Sequence, residues 1–335
     1  ALLLTVPLAS YAGKYKLTGN VTGLPENSVI LLAPVTHLKE KNIGEVPVVN
    51  GKFSFEGSVD QPTAVWVKLK GVPSGARVVM LDEGEVTLTG DVKTFDANGS
   101  TGYELAGLKV SGSPNTDKYD KIYGQRAHLN KLYEEKSDKY SEVWSKVRKA
   151  RISNDEKALA DIMATDEYKA ADKAEKDFFT EVEATYRRIV FENKDSFWGP
   201  LMMISLFSYL TPDQQDWYDA LSDEAKNSYY GKKVYEEINP AFQIGQNLSD
   251  FSIAENGKNT TFHKICECKK VVILDFWASW CRPCRAEIPH LKSIYEKHKN
   301  NGLDIVSVSI DADNAAWEKA LKKENMSRMK KSQMN

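Results

Sequence analysis

Between Tyr15 and about Val110 the apolar residues recur with the period of strands. Tyr15, Leu17, Gly19 and Val21 alternate with polar neighbours, and Val29-Ile-Leu-Leu-Ala33 is a short unbroken apolar run. Alternation buries one face of a strand, and a short run is suited to burial on both faces. Val65-Trp-Val-Lys-Leu69, Arg77-Val-Val-Met-Leu81 and Val86-Thr-Leu-Thr89 follow, separated by Gly, Pro and Asp. Within Val48-Val-Asn-Gly-Lys-Phe-Ser-Phe55, Asn50-Gly51 supplies the positive φ angles of a tight primed turn and predicts a hairpin. Short strands at this spacing predict an antiparallel β sandwich or barrel over residues 13–112.

After Gly112-Ser-Pro-Asn115 the period becomes that of helices. Tyr119, Ile122, Tyr123, Leu129, Leu132, Tyr133, Tyr140, Val143, Trp144 and Val147 mark one face of a long helix. Further helical segments run from Asn154 to about Ala164 and from Tyr168 to Phe191, and Leu201–Leu210 is apolar enough to be buried on all sides. Thr211-Pro-Asp-Gln214 reads as a capping box with Pro at the first helical position. The region 113–239 is therefore expected to be helical, and its dense aromatics, at helical spacing, are read as core.

Asn239-Pro240 ends the last of these helices. Beyond it, Val271-Val-Ile-Leu-Asp-Phe-Trp277 predicts a buried strand, and Trp280-Cys-Arg-Pro-Cys284 turns into a helix carrying Ile288, Leu291, Ile294 and Tyr295. A second parallel strand over Leu303–Ile310 and a helix from Asn314 to Glu324 complete a βαβα pattern within 240–326. Asn256-Gly257 reads as a hairpin turn ahead of it, and the polar tail 327–335, without periodicity, is expected to be disordered. The whole is a multidomain α+β and α/β chain.

Composition narrows the class. At 335 residues, two or three domains with proper cores are affordable, and a net charge of −2 gives no reason to expect a nucleic-acid partner. Four cysteines exclude a disulfide-dense scaffold. Residues 1–12, Ala1-Leu-Leu-Leu-Thr-Val-Pro-Leu-Ala-Ser-Tyr-Ala12, read as the apolar part of a secretory signal ending in a small-x-small site, the alternative being a hydrophobic first strand. The signal reading implies export to a periplasmic or other extracytoplasmic, oxidising compartment.

The strand, Cys-x-x-Cys, helix order is what gives this short motif chemical meaning. It places Cys281 at a helix N-terminus, where unpaired N–H groups and the helix dipole favour a thiolate. Arg282 adds positive charge, so the Cys281 thiol is expected to ionise below the ~8.5 of a free thiol. A thiolate is the attacking species in disulfide exchange, and Cys284, one turn further in, is placed to resolve the mixed disulfide. Asp275, in an apolar strand six residues before Cys281, must be paired, protonated or functional. Glu287 lies on the helix face of Cys284, and Trp280 and Pro283 are expected to shape the site.

Asp275-Phe-Trp-Ala-Ser-Trp-Cys-Arg-Pro-Cys284 resembles the active site of the thioredoxin superfamily, and Cys284-Arg-Ala-Glu-Ile-Pro289 with Val306-Ser-Val-Ser-Ile-Asp311 resembles its TlpA/ResA-like branch of extracytoplasmic thiol–disulfide oxidoreductases. The resemblance implies that Asp275 is a proton acceptor for the resolving cysteine, the alternative being a structural carboxylate. It also implies that Glu287 tunes the cysteines, the alternative being a solvated helix residue. Partners would be disulfide-containing or dithiol proteins of the cell envelope and a membrane-bound or soluble thiol electron donor. The β region, through Gly19, the Asn50-Gly51-Lys52-Phe53-Ser54-Phe55 segment and its position, resembles a small domain of unknown function found ahead of such modules, either for docking or as a spacer.

Two features complicate this picture. In the superfamily two further strands and a helix follow the second helix, with a cis-proline loop facing the cysteines. This sequence has no proline after Pro289. The thioredoxin-like unit is thus expected to be incomplete, with one edge of the Val271 strand open to pairing. A redox-impaired binding or structural role is the alternative function. Cys266 and Cys268 raise a four-cysteine zinc site, but a strand of about 3.3 Å per residue over 271–278 holds them too far from Cys281 for one ion. They are read as thiols or as a strained local pair. His37, His128, His263, His290 and His298 show no ligand spacing, so neither a metal nor a cofactor is expected.

Overall fold

The computed structural model describes residues 13–72, 74–97, 100–153, 155–240, 245, 247–255, 258–311, 313–325 and 330–333. The expected signal segment and the Asn256-Gly257 turn lie outside them. The chain divides into two compact units, Ala1–Glu135 with Lys176–Ala241, and Lys136–Glu175 with Phe242–Asn335.

The first unit is built on strands β1 (Gly13–Thr22), β2 (Val29–Pro34), β3 (Gly44–Pro47), β4 (Lys52–Val59), β5 (Thr63–Leu69), β6 (Ser74–Gly75), β7 (Arg77–Leu81), β8 (Gly84–Asp91), β9 (Lys93–Ala97), β10 (Ser100–Glu104) and β11 (Lys109–Ser111). Two four-stranded sheets, ordered β11-β8-β1-β4 and β3-β2-β5-β7, share a core; β6, β10 and β9 form a small third sheet. This is the sandwich of the two expected alternatives; among the described residues no sheet closes into a barrel. It is not purely antiparallel, because β1 runs parallel to β8, Leu17 opposite Val86. The long excursion through β2–β7 lets the chain return to the side of β1 in the same direction, which a tight turn does not permit.

Burial follows the sequence pattern. Along β1 buried and exposed residues alternate, because its sheet covers the core with one face only. Leu17, Val21, Phe53, Phe55, Val86 and Leu88 from that sheet meet Ile30, Leu32, Val65, Val67, Val79 and Leu81 from the other. The second sheet is covered on both faces. Val35, Ala64 and Met80 on its far side pack with Tyr119, Ile189, Trp198, Leu201, Met202 and Tyr230 of the helical region. The helices at the two ends of 113–239 are therefore not a body of their own: they complete the burial of a β-sheet, which the apolar run of β2 already requires.

Asn50 and Gly51 both take positive φ, 51° and 72°, as the turn requires. A Cβ at Gly51 would stand 2.3 Å from the Val21 carbonyl oxygen. The hairpin expectation needs correction, however. Only Val49 and Lys52 bridge across the turn, after which β4 pairs with β1 while β3 pairs with β2. The turn carries the chain from one sheet to the other.

The expected long first helix is broken. Helix α1 (Pro114–Tyr123) ends in a 3₁₀ turn at Gly124–Arg126 before α2 (Ala127–Ile152) begins. Ser113 caps α1, accepting from the Thr116 amide at 3.0 Å, and its hydroxyl donates to Asp82 Oδ2 at 2.6 Å. Next come α3 (Glu156–Ala164), α4 (Asp166–Phe191), the apolar α5 (Trp198–Leu206), α6 (Gln215–Asp219), α7 (Asp223–Asn227) and α8 (Tyr229–Ile238). Thr211 and Gln214 form the expected capping box with Pro212 at its start.

In the second unit, β12 (Ser252–Glu255) and β13 (Lys258–Thr261) form a hairpin, followed by the short helix α9 (Phe262–Cys266). Then β14 (Val271–Trp277), α10 (Arg282–His298), β15 (Leu303–Ser309) and α11 (Asn314–Lys323) form the expected βαβα unit, with β14 and β15 parallel. Every residue of β15 is buried. Ile305 faces Trp277, Ile288, Ala320 and Leu321, with Leu291 of α10 and Trp317 of α11 alongside; Val306 and Val308 face Ile253, Phe262 and Ile265. The tail is not wholly without structure. Lys330–Gln333 forms β16, which adds to β15 in parallel, so a main-chain ladder orders a stretch with no apolar pattern to announce it. Among the described residues the other edge of β14 has no partner strand, and Val271 and Phe276 on β14 are more than half exposed.

Candidate active site

β14 ends at the buried Trp277, and the chain must leave the sheet and enter α10 within four residues. Two local bonds make the bend: the Cys281 amide donates to the Ala278 carbonyl at 3.1 Å, and the Arg285 amide to the Cys281 carbonyl at 3.0 Å. Cys281 is the N-cap of α10, extended at φ −78° and ψ 94°, with Arg282 and Pro283 in the first turn. Proline is favoured there because its absent N–H has no intrahelical partner to lose.

The cap is a sulfur. The amide of Cys284 donates to Cys281 Sγ at 3.3 Å, the bond an oxygen of Ser or Asp makes at an ordinary N-cap. Charge on this sulfur is therefore met by a main-chain donor and by the positive end of a 17-residue helix. Cys281 and Cys284 are joined as a disulfide, so the pair is in its oxidised form. Both are partly exposed, but Cys284 packs against the core of Trp277, Ile288 and Ile305, whereas Cys281 stays at the rim. Of the two, Cys284 is the one set against the core.

The loop between strand and helix is pinned from β15. Asp311, 4% exposed, accepts from the Ser279 amide at 2.8 Å and from the Ser279 hydroxyl at 2.6 Å, and the Ser309 hydroxyl donates to it at 2.7 Å. Arg285 donates through Nε to Glu324 Oε1 at 2.9 Å and through Nη1 to the Ser279 carbonyl at 3.4 Å, tying α10, the loop and the end of α11 together. Sequence reasoning did not single out either residue for this role. The signal was present: a carboxylate two residues after an apolar strand and an arginine one residue past the motif are both costly to bury unless bonded.

Asp275 sits in the middle of β14, half-buried, with the Ser307 hydroxyl of β15 donating to its Oδ2 at 3.0 Å. Burial pushes its carboxyl above the ordinary carboxylate range; the Ser307 hydrogen bond pulls it down, and the negative charge of Glu287 pushes it up again. Asp275 and Glu287 are thus electrostatically coupled across the strand and α10. Glu287 itself is exposed, as are Arg282, Pro283 and Trp280, the last at 67%. Trp280 stands beside the disulfide as a bare aromatic surface. Cys266 and Cys268 lie before β14, at the end remote from Cys281.

Cys281 and Cys284 thus form a disulfide at the start of α10, and two family models match parts of the chain. Residues 15–119 match a family model described as a domain of unknown function (DUF4369), and residues 269–332 match one described as thioredoxin-like. The thiol-disulfide oxidoreductase ResA of Oceanobacillus iheyensis is 37% identical over 76 residues, 22% of this chain and 40% of the relative. ResA of Bacillus thuringiensis is 32% identical over 75 residues, 22% of this chain and 42% of the relative. The chain thus spans about two fifths of the length of these curated relatives. Among solved structures, the thioredoxin domain of a thiol-disulfide oxidoreductase from Bacteroides vulgatus aligns at 25% identity and a TM-score of 0.26, covering 28% of this chain and 66% of that one. A thiol-disulfide oxidoreductase from Bacteroides fragilis aligns at 29% identity and 0.23, covering 25% and 63%. The two family-model matches bear out the resemblance to a thioredoxin-like module preceded by a β domain of unknown function.

Proposed function

We propose that this protein is an extracytoplasmic thiol–disulfide oxidoreductase that exchanges the Cys281–Cys284 disulfide with cysteines of protein substrates. The observation that carries the proposal is the position of Cys281: its sulfur caps α10, receives the Cys284 amide, and remains at the solvent rim. In the reduced state Cys281 attacks a substrate disulfide as thiolate, giving a mixed disulfide and releasing one substrate thiolate. Cys284 then attacks Cys281 Sγ, closing the internal disulfide and releasing the second substrate thiolate. Two electrons pass to the substrate, and a thiol donor returns them.

Cys284 must lose its proton for the second step, and Asp275 is the group assigned to receive it. A carboxyl with a raised pKa takes up and gives back a proton closer to neutral pH than an ordinary aspartate does. Glu287 acts through Asp275, since its charge makes ionising Asp275 harder. Trp280 and Pro283 form the surface that meets the substrate. The substrates are disulfide-containing or dithiol proteins of the cell envelope; the extracytoplasmic placement rests on the signal-like first residues and on the family resemblance. Among the described residues no helix is long and apolar enough to cross a membrane.

Reduction of insulin by the purified chain, with dithiothreitol as donor and Cys281→Ser as control, tests the proposal. Turbidity rising with the wild type and not with the variant supports it; equal rates would overturn it.

A further inference from the structure

Cys266 and Cys268 are not used by the chemistry above, and their local backbone is unusual. The amide of Lys269 donates to the Cys266 carbonyl at 3.1 Å, closing a four-residue turn. Glu267 has φ −53° and ψ 133°, and Cys268 has φ 61°. These are the angles of a type II turn, whose third position requires positive φ and is the usual place of glycine. The other non-glycine residues with positive φ among those described, Asn27, Asn50 and Asn325, are all asparagines, the side chain best suited to it. Cys268 alone holds that conformation with neither excuse. A side chain kept where the backbone disfavours it directs attention to what the side chain does.

The turn closes Cys266 on Lys269 and places Cys266 and Cys268 at its first and third positions. Two 3.8 Å virtual bonds meeting at the extended Glu267 hold the Cα atoms of Cys266 and Cys268 at roughly 6 Å, inside the window of disulfides. Both carry thiols; Cys268 is exposed, and Cys266 is partly buried against Phe262, Ile265 and Val306. One sulfur at the surface and one drawn inward repeats the asymmetry of Cys281 and Cys284.

We propose that Cys266 and Cys268 form a second dithiol/disulfide centre that exchanges electrons with the Cys281–Cys284 pair of another copy of this chain. The exchange runs between copies because the seven residues of β14, at about 3.3 Å each, separate the two pairs within one molecule. The Cys268 thiolate attacks Cys281 Sγ of the second copy; the Cys281–Cys284 bond breaks and Cys284 leaves as thiolate. Cys266 then attacks Cys268 Sγ, the mixed disulfide breaks, and Cys281 leaves as thiolate. One disulfide forms as one is lost. Two electrons move from the Cys266/Cys268 pair to the Cys281/Cys284 pair, and the two protons given up by the first pair are taken up by the second. The reverse sequence recharges the surface pair. The transfer between copies rests on the proposed reactivity of Cys281; the existence of the second centre does not.

Two full-length variants separate these statements: Cys281→Ser/Cys284→Ser keeps only the second pair, and Cys266→Ser/Cys268→Ser keeps only the first. The first variant, equilibrated with increasing ratios of oxidised to reduced dithiothreitol, is expected to lose both thiols together. Its digest, and that of the oxidised wild type, is expected to contain a Cys266–Cys268 linkage. Thiols that persist at every ratio, or that disappear only into intermolecular dimers, would overturn the second centre. The oxidised second variant is then mixed with the reduced first. Thiols should fall in one and rise in the other in equal number. No transfer, from a second variant that still reduces insulin, overturns the relay alone. A second variant that fails on insulin overturns the proposed function, while the dithiothreitol titration still decides whether the surface pair is a redox centre.

Discussion

At the residue scale the chemistry depends on two environments that can be varied separately. Cys281 is partly exposed, caps α10 and is replaceable without disturbing a core. Cys281→Ser is expected to abolish exchange with little loss of stability, since serine is itself a good N-cap. Asp275 is different, because its folded-state carboxyl is held above the ordinary carboxylate range, chiefly by burial. The folded state therefore binds that proton more tightly than the unfolded state. Asp275 favours folding fully at pH values below the unfolded carboxyl pKa, and that contribution is lost as pH rises through the raised folded value. Asp275→Asn is expected to raise the Tm at neutral pH and to leave it nearly unchanged in acid, as thermal unfolding at several pH values will show. The same variant should slow resolution of the mixed disulfide by about 10²-fold, the range of a lost general base, measured by quenched-flow trapping. A variant that slows neither step would leave Asp275 a structural carboxylate. Cys268→Gly removes a side chain from a backbone glycine prefers, and should stabilise the fold by roughly 1 kcal/mol, read from denaturant midpoints.

At the scale of elements, what was legible depended on whether burial came from the element's own pattern. β1, β5, β7, β8 and β15 were readable because alternating or continuous apolar runs state how many faces are covered, whereas the apolar run of β14 leaves Val271 and Phe276 exposed. The same logic marked Leu201–Leu210 as buried all round, which holds for nearly all of its part in α5 but not for Ser208 and Tyr209, which are exposed. The exposed β9, Lys93-Thr-Phe-Asp-Ala97, and the polar β16 carry no such pattern, because their order comes from main-chain ladders to neighbours distant in sequence. Asn50-Gly51 announced its turn but not the sheets on either side, since positive φ is a local requirement and strand pairing is not. The cysteine motif and its N-cap geometry were legible from strand–turn–helix order alone. Asp311 and Arg285 were not, because their partners, Ser279 and Glu324, lie 32 and 39 residues away. Asp311→Ala should leave Cys281 and Cys284 in place but free the Ser279 loop. A fall in exchange rate larger than the fall in stability is the expected outcome, measured by insulin turbidity beside thermal melts.

For the whole molecule, the β sandwich and the helices at the ends of 113–239 are one body, with the β3-β2-β5-β7 sheet buried between the strand core and Met80, Trp198 and Leu201. Met80 belongs to the sheet but packs among the helices, fully buried. Met80→Ala is expected to cost about 2–5 kcal/mol and to loosen strands and helices together, seen as one cooperative transition by both far-ultraviolet circular dichroism and tryptophan fluorescence. Separate transitions would show the helices to be an independent layer. The proposed redox chemistry belongs to the other unit, so the same variant should leave the disulfide exchange of the folded protein unchanged.

The assignment of Cys281 as the attacking sulfur is the claim on which the rest depends. It is tested most directly by trapping. The Cys284→Ser variant, which cannot resolve a mixed disulfide, is reduced, mixed with a disulfide-bonded peptide and digested for mass spectrometry. The account predicts a stable peptide adduct on Cys281. No adduct there, or adducts confined to Cys266 and Cys268, would contradict it.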